Sequence, residues 1–431
     1  MSLYETDSGS RRFVSRRAVA VGGAAAAVAV AISAAGIVAG GGPAAPSATG
    51  DFAPGTGVAA LQAHLRAQPR DAPAWARLGA AYVEQARTTG DPGRYPQAQQ
   101  ALARSLSVQP RGNDAALAGR AALAAARHDF TGALRDARAA LALNPYSQGA
   151  LAVRIDALVE LGRYGAASTA AEEADRRRPG VPVFTRLAYV HELRGDVAGA
   201  RRILTQALGT ATAPGDRAYV ATALGQLAWS QGEYGAALDH FTTALRADPR
   251  HLPALEWRAR TGGSVPGMEA VVARYPLPAE LVALGELYEA GGRPADARRQ
   301  YALISTWTAL ARAGGVNTDL DTALAEAEHG SAAEGLRAAR AEWARRHTVH
   351  TADVLAWALY RSGRAREALP YAVKAAAPGY RNAAFLFHRG MIERAAGEPR
   401  AARRSLSTAL ALNSRFSPTG SRQARAALEA L

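Results

Sequence analysis

The sequence predicts an all-α fold, a solenoid of antiparallel helical hairpins preceded by one N-terminal apolar helix, and three observations predict it. The 431-residue chain is 48% hydrophobic but only 6% aromatic. Much of the apolar fraction is alanine, which has the best helix propensity and lets helices approach closely. Apolar residues recur at helical spacing, and no strand-like alternation is evident. From about Leu61 onward the chain repeats itself: Pro145 and Pro179 close successive units 34 residues apart, a length that holds two short helices and their turns.

The first sixty residues read as an address. Residues 1–17 form a basic N-region with Arg11, Arg12, Arg16 and Arg17, and residues 18–42 carry no charge. As a helix, that uncharged run is about 37 Å long, enough to cross a bilayer core of about 30 Å. Arginines on its N-terminal flank keep that end in the cytoplasm and place the rest of the chain outside. Ser15-Arg16-Arg17-Ala18-Val19 and Ser10-Arg11-Arg12-Phe13-Val14 each resemble part of a twin-arginine export signal. Three readings stand: a single-pass anchor in the cytoplasmic membrane, a signal cleaved near Ala45-Pro46-Ser47 with the domain secreted, or a flexible Ala/Gly tail. Residues 43–60, rich in Pro, Ala, Gly and Thr, read as a linker.

Residues 61–260 carry the clearest repeats. Trp75, Leu78, Gly79 and Tyr82 form a Trp-x-x-Leu-Gly-x-x-Tyr run, followed by Ala98, Leu102 and Pro110. Pro145 closes the next unit, and the one after it has Ala167 within its second helix and Pro179 at its end. Gly225, Ala237, Phe241 and Pro249 repeat the pattern, and so do Gly285, Tyr288 and Ala297, with Gly390 marking a late unit. This pattern resembles the tetratricopeptide repeat family. The resemblance implies a right-handed superhelical solenoid that binds protein partners. Residues 261–348 keep helical periodicity with faint family residues and read as degenerate repeats or bridging helices. Residues 349–418 read as C-terminal hairpins and 419–431 as a capping helix whose apolar face includes Ala424, Ala427, Leu428 and Leu431.

Physics accounts for the pattern. A glycine inside a helix costs about 1 kcal/mol against alanine, so it persists where a neighbouring helix would collide with a Cβ. Small alanines three and four residues apart give the second helix a face that receives an aromatic. Proline ends that helix because it lacks an N–H and disfavours helix in the residue before it.

Several chemistries are excluded or unsupported. There is no cysteine, which removes disulfides and thiolate chemistry. His347 and His350 stand three apart without an evident third ligand, and no zinc-protease or zinc-finger spacing occurs. Glu172-Glu173 and Glu326/Glu328 read as solvated helix charges. No phosphate-cradling loop or nucleophile elbow is present, so no enzyme activity, cofactor or metal is expected. Net charge is +14, nearly all from arginine, and Lys374 is the only lysine. The arginines are scattered rather than gathered into a stripe, so nucleic acid is not an expected partner.

Binding is the function the pattern favours. Residues one and four positions after the packing glycine point away from the hairpin contact, toward the hollow of the coil. This register places Gln226, Trp229, Glu286 and Glu289 in the groove. Where another small residue replaces the glycine, it gives Asp156, Tyr189, Trp357 and Tyr360, and Arg394 follows Gly390. The expectation is a scaffold on the outer side of the bacterial cytoplasmic membrane that holds a partner peptide or helix, since aromatics dominate binding hot spots. The alternative is recognition of an anionic envelope polymer or glycan by the basic surface.

Overall fold

The computed structural model describes residues 57–89, 93–313 and 315–431. The expected basic N-region and apolar helix lie outside them, as does most of the linker. No helix among the described residues is long and apolar enough to cross a membrane.

The described residues form twenty-two helices and no strand. After α1 (Val58–Ala67) come α2 (Ala72–Thr89), α3 (Arg94–Val108), α4 (Asp114–Ala126), α5 (Phe130–Leu143), α6 (Gln148–Glu160), α7 (Tyr164–Arg177) and α8 (Val181–Leu193). The middle of the chain holds α9 (Val197–Thr210), α10 (Pro214–Ser230), α11 (Tyr234–Ala247), α12 (Leu252–Gly262), α13 (Val265–Arg274), α14 (Pro278–Ala290) and α15 (Pro294–Ala313). The end holds α16 (Asp319–His329), α17 (Ala332–Arg345), α18 (Val349–Arg361), α19 (Ala365–Ala375), α20 (Ala383–Ala395), α21 (Pro399–Leu412) and α22 (Gly420–Glu429). From α2/α3 to α20/α21 these pair as ten consecutive antiparallel hairpins, and successive first helices touch from α2 to α12 and from α14 to α20. The architecture is a helical solenoid.

Sequence sets the helix ends locally. Side chains of Asn113, Asp129, Asp196, Ser264, Ser331, Thr348 and Asn382 accept hydrogen bonds from first-turn amides that have no intrahelical partner. Pro110, Pro145, Pro179 and Pro249 each stand one residue beyond the C-cap of a second helix, where the helix cannot continue.

The hairpin contacts fall where the small residues stand. A Cβ on Gly225 would lie 2.3 Å from the Phe241 ring, and one on Gly285 would lie 2.2 Å from Tyr301. Gly79 meets Leu102 and Gly390 meets Leu406 in the same way. Ala98, Ala167, Ala237 and Ala297 are wholly buried, and Leu78, Tyr82 and Tyr288 are buried beside them. Trp75 is half-buried, its indole N–H donating to the Pro69 carbonyl at 3.0 Å. Between 261 and 348, where the family residues are faint, α14/α15 and α16/α17 still form hairpins. There Gly335 takes the close approach, against the backbone of Ala327. Ala424 and Ala427 of α22 are buried on the last hairpin, with Leu428 and Leu431 packed beside them.

The coil closes on itself. Hairpin turns in the first half dock on inter-hairpin linkers of the second half, forming four rungs. At the first, His128 Nδ1 donates to the Asn317 carbonyl at 2.7 Å, and the Asn317 amide reaches Arg127 O at 3.4 Å. At the second, the Val349 amide donates to Tyr164 Oη at 2.8 Å and Arg346 pairs with Glu160. There Gly162, at φ +71°, comes so near that a Cβ would sit 2.2 Å from His347 O. At the third, Gly195 and Gly379 approach backbone to backbone. At the fourth, Asn413 donates to Trp229 O at 2.7 Å and accepts from Tyr234 Oη at 2.7 Å.

Candidate functional site

The fourth rung encloses a cavity. From α10 round to the α21–α22 linker the chain makes one turn, and Asn413 fastens its end to its beginning. The lumen inside is about 300 Å³, within the range of small-ligand pockets. Its walls come mainly from first helices, in stripes spaced by four: Pro278, Val282 and Glu286 on α14; Leu320, Leu324 and Glu328 on α16; Asp353, Trp357 and Arg361 on α18. Residues four apart share one helix face, so each first helix turns the same stripe inward.

One wall is aromatic. Trp229 and Trp257 meet edge to face with centroids 4.9 Å apart, and the Arg260 guanidinium lies 4.9 Å from the Trp257 ring centre. Trp357 stacks on His388 at 4.1 Å and on Tyr360 at 4.9 Å. The indole N–H groups of Trp257 and Trp357 are buried without a hydrogen-bond partner.

Beside these rings stand the lumen's carboxylates. Asp353 accepts from His388 Nδ1 at 2.9 Å, and His388 Nε2 stands 3.6 Å from Glu328 Oε1. Burial pulls the His388 pKa down, but the Asp353 and Glu328 carboxylates outweigh it and hold it near 9. His388 is therefore a cation at neutral pH. Burial pushes Glu328 up, but the facing His329 and His388 imidazoles outweigh it and bring its pKa to about 2. Glu286 goes the other way, to about 7, through burial and the facing Glu328 charge. Ser417 and Thr419 donate to its carboxylate at 3.1–3.3 Å. The His329 ring stacks on Tyr301 at 4.0 Å.

The structure brings Trp229, Glu286, Glu289 and Trp357 into this one lumen. Tyr360 reaches its edge only by stacking on Trp357. The other expected groove residues are not among those lining it. Asp156 is buried in α6, its carboxylate held by Arg186 of α8 at 2.7 and 2.8 Å. Tyr189 is buried in a core shared with Tyr380 and Phe385 from the C-terminal hairpins. Gln226 is half-buried on α10, and Arg394 is exposed near the end of α20. Glu328 is not a solvated helix charge, because two imidazoles face it. His347 packs on Trp343, while His350 packs against Tyr380 and Phe385, so the two do not converge.

Asp353, His388, His329 and Trp257 escape a register counted forward from the packing glycine. For Asp353 the signal lies one turn earlier on the same stripe, four residues before Trp357, and His388 stands two residues before Gly390.

Residues 218–251, which span most of α10 and all of α11, match the family model described as tetratricopeptide repeat. That tetratricopeptide-like hairpin carries Gly225, Trp229, Ala237, Phe241 and Pro249. Among solved structures, the thermophilic tetratricopeptide repeat protein TTC0263 of Thermus thermophilus is 25% identical, with 44% of this chain and 97% of that chain covered and a TM-score of 0.38. Pseudomonas aeruginosa pilF is 20% identical over 55% of this chain and 99% of that chain, with a TM-score of 0.37. The human IFIT1 dimer with PPP-AAAA is 12% identical over 82% of this chain and 85% of that one, with a TM-score of 0.47. No curated protein matches the chain.

Proposed function

We propose that this protein is a non-enzymatic interaction scaffold that seats a partner's extended segment in the lumen of its C-terminal half, displayed on the outer side of the bacterial cytoplasmic membrane. The observation that carries the reading is the ring of first helices, which turns Trp229, Trp257 and Trp357 and several carboxylates onto one partly open lumen. Trp229, only partly buried on this wall, offers an apolar ring face to a partner. The basic stretch before residue 18 and the uncharged run after it support the orientation.

A photo-crosslinking residue in place of Glu289, inside the lumen, is expected to capture a defined protein partner. The same residue in place of Leu303, exposed at 45% on α15, is expected to capture none. Equal capture at both positions refutes the lumen as the seat. Because the chain has no cysteine, a single cysteine in place of exposed Arg394 reports its side of the membrane. Labelling of intact cells by a membrane-impermeant maleimide is expected, and protection until lysis overturns the orientation.

A further inference from the structure

We propose that Glu286, Glu328 and His329 form a divalent-metal site in the wall of the lumen, taking a zinc-class ion through two carboxylates and one imidazole and leaving a further coordination position facing the cavity.

Each of the three side chains offers a ligand atom within 4.8 Å of the other two. One edge already has metal-site dimensions. His329 Nε2 stands 3.5 Å from Glu328 Oε2, and two ligands about 2.1 Å from a tetrahedral ion lie roughly 3.4 Å apart. That distance is too long for a good hydrogen bond between nitrogen and oxygen. Glu286, half-buried on α14, needs an advance of roughly 1 Å to complete the set, which a side-chain torsion supplies.

A second observation points to a ligand. His329 Nε2 is sealed from solvent and has no hydrogen-bond partner, in a side chain that is only 11% exposed. Its described polar neighbour is the Glu328 carboxylate, and a shared ion would draw both ligand atoms onto one centre. The ring cannot swing freely, because it stacks on Tyr301 with 13° between the planes.

The supporting shell is built as metal sites require. Ser417 and Thr419 donate to the Glu286 carboxylate and fix its plane. Asp353 holds His388, whose Nε2 faces the other oxygen of Glu328. All three ligands line the lumen, so an ion has a path in. The imidazole and the two oxygens suit zinc, cobalt or manganese better than calcium or magnesium, which prefer all-oxygen shells. This site does not depend on what the lumen seats, since it needs only residues of this chain.

The test uses the tag-free chain stripped with chelator and titrated with cobalt(II), then with zinc against a chromophoric chelator. One equivalent of cobalt is expected to bind with the visible absorption of a four-coordinate ion, and zinc is expected to displace it. Glu286→Gln and His329→Gln should each weaken zinc binding by about 100-fold or more, beyond the 10–100-fold typical of an outer-shell loss. Glu334→Gln, on the exposed face of α17 and outside the lumen, should leave it within threefold. Far-ultraviolet dichroism of each variant establishes that it is folded. Absence of saturable binding, or equal affinity in folded His329→Gln, overturns the proposal.

Discussion

Replacing Asp156 by alanine is expected to destabilise the N-terminal hairpins by about 3–5 kcal/mol, the usual cost of leaving a buried charge without its partner. Asp156 and Arg186 are each 5% exposed. The guanidinium grips the carboxylate through two parallel hydrogen bonds, and its remaining described bond goes to the Pro182 carbonyl at 2.7 Å. Without Asp156 that cation keeps only part of its hydrogen bonding in a space from which water is excluded. The paired replacement Asp156→Leu with Arg186→Met should recover most of the loss, because well-packed apolar residues often equal a buried ion pair. Urea unfolding with hydrogen exchange across α6–α8 measures both, since repeat arrays unfold unit by unit. A loss under about 1 kcal/mol for the single variant would show that the cation finds water and that the pair is not sealed.

The second large effect is expected at Gly162. A side chain there would meet His347 O at 2.2 Å, and a backbone oxygen between two helices has nowhere to go. Gly162→Val should therefore part the second rung, taking with it the Tyr164 bond to the Val349 amide and the Glu160–Arg346 pair. The expected result is a larger radius of gyration by small-angle scattering with helix content unchanged. Gly363 supplies the control, because it turns at φ +75° with no neighbour within 4 Å of its Cβ position. Gly363→Val carries the same left-handed strain without the collision, so it should leave the radius of gyration as it was. Equal swelling in both variants would refute the rung as the cause.

What was legible in the sequence was what lies close along the chain. Gly225 against Phe241 and Gly285 against Tyr301 are contacts sixteen residues apart, and a 34-residue repeat displays them. The inward stripe was legible in part. Trp229, Glu286, Glu289 and Trp357 follow from counting forward from the small residue, while Asp353 lies one turn before Trp357 and His388 two residues before Gly390. The rungs join positions such as Gly162 and His347, 185 residues apart. Nothing local specifies them, because they arise from the summed rotation of successive hairpins. Asp156 and Tyr189 show the result: they hold groove register, but bonding across to Arg186 and packing with Tyr380 and Phe385 use them up as core.

Asn413 has 1% of its surface exposed and bridges Trp229 and Tyr234 across the lumen's seam. A guest cannot slip in sideways while that fastening holds. A free chain end can thread through an open mouth of the ring, whereas an internal loop must wait for the seam to part. The geometry thus sorts guests by topology before any side chain is read, and it ties a loop's rate of entry to the lifetime of that seam, where Ser414 and Arg415 also meet Tyr234.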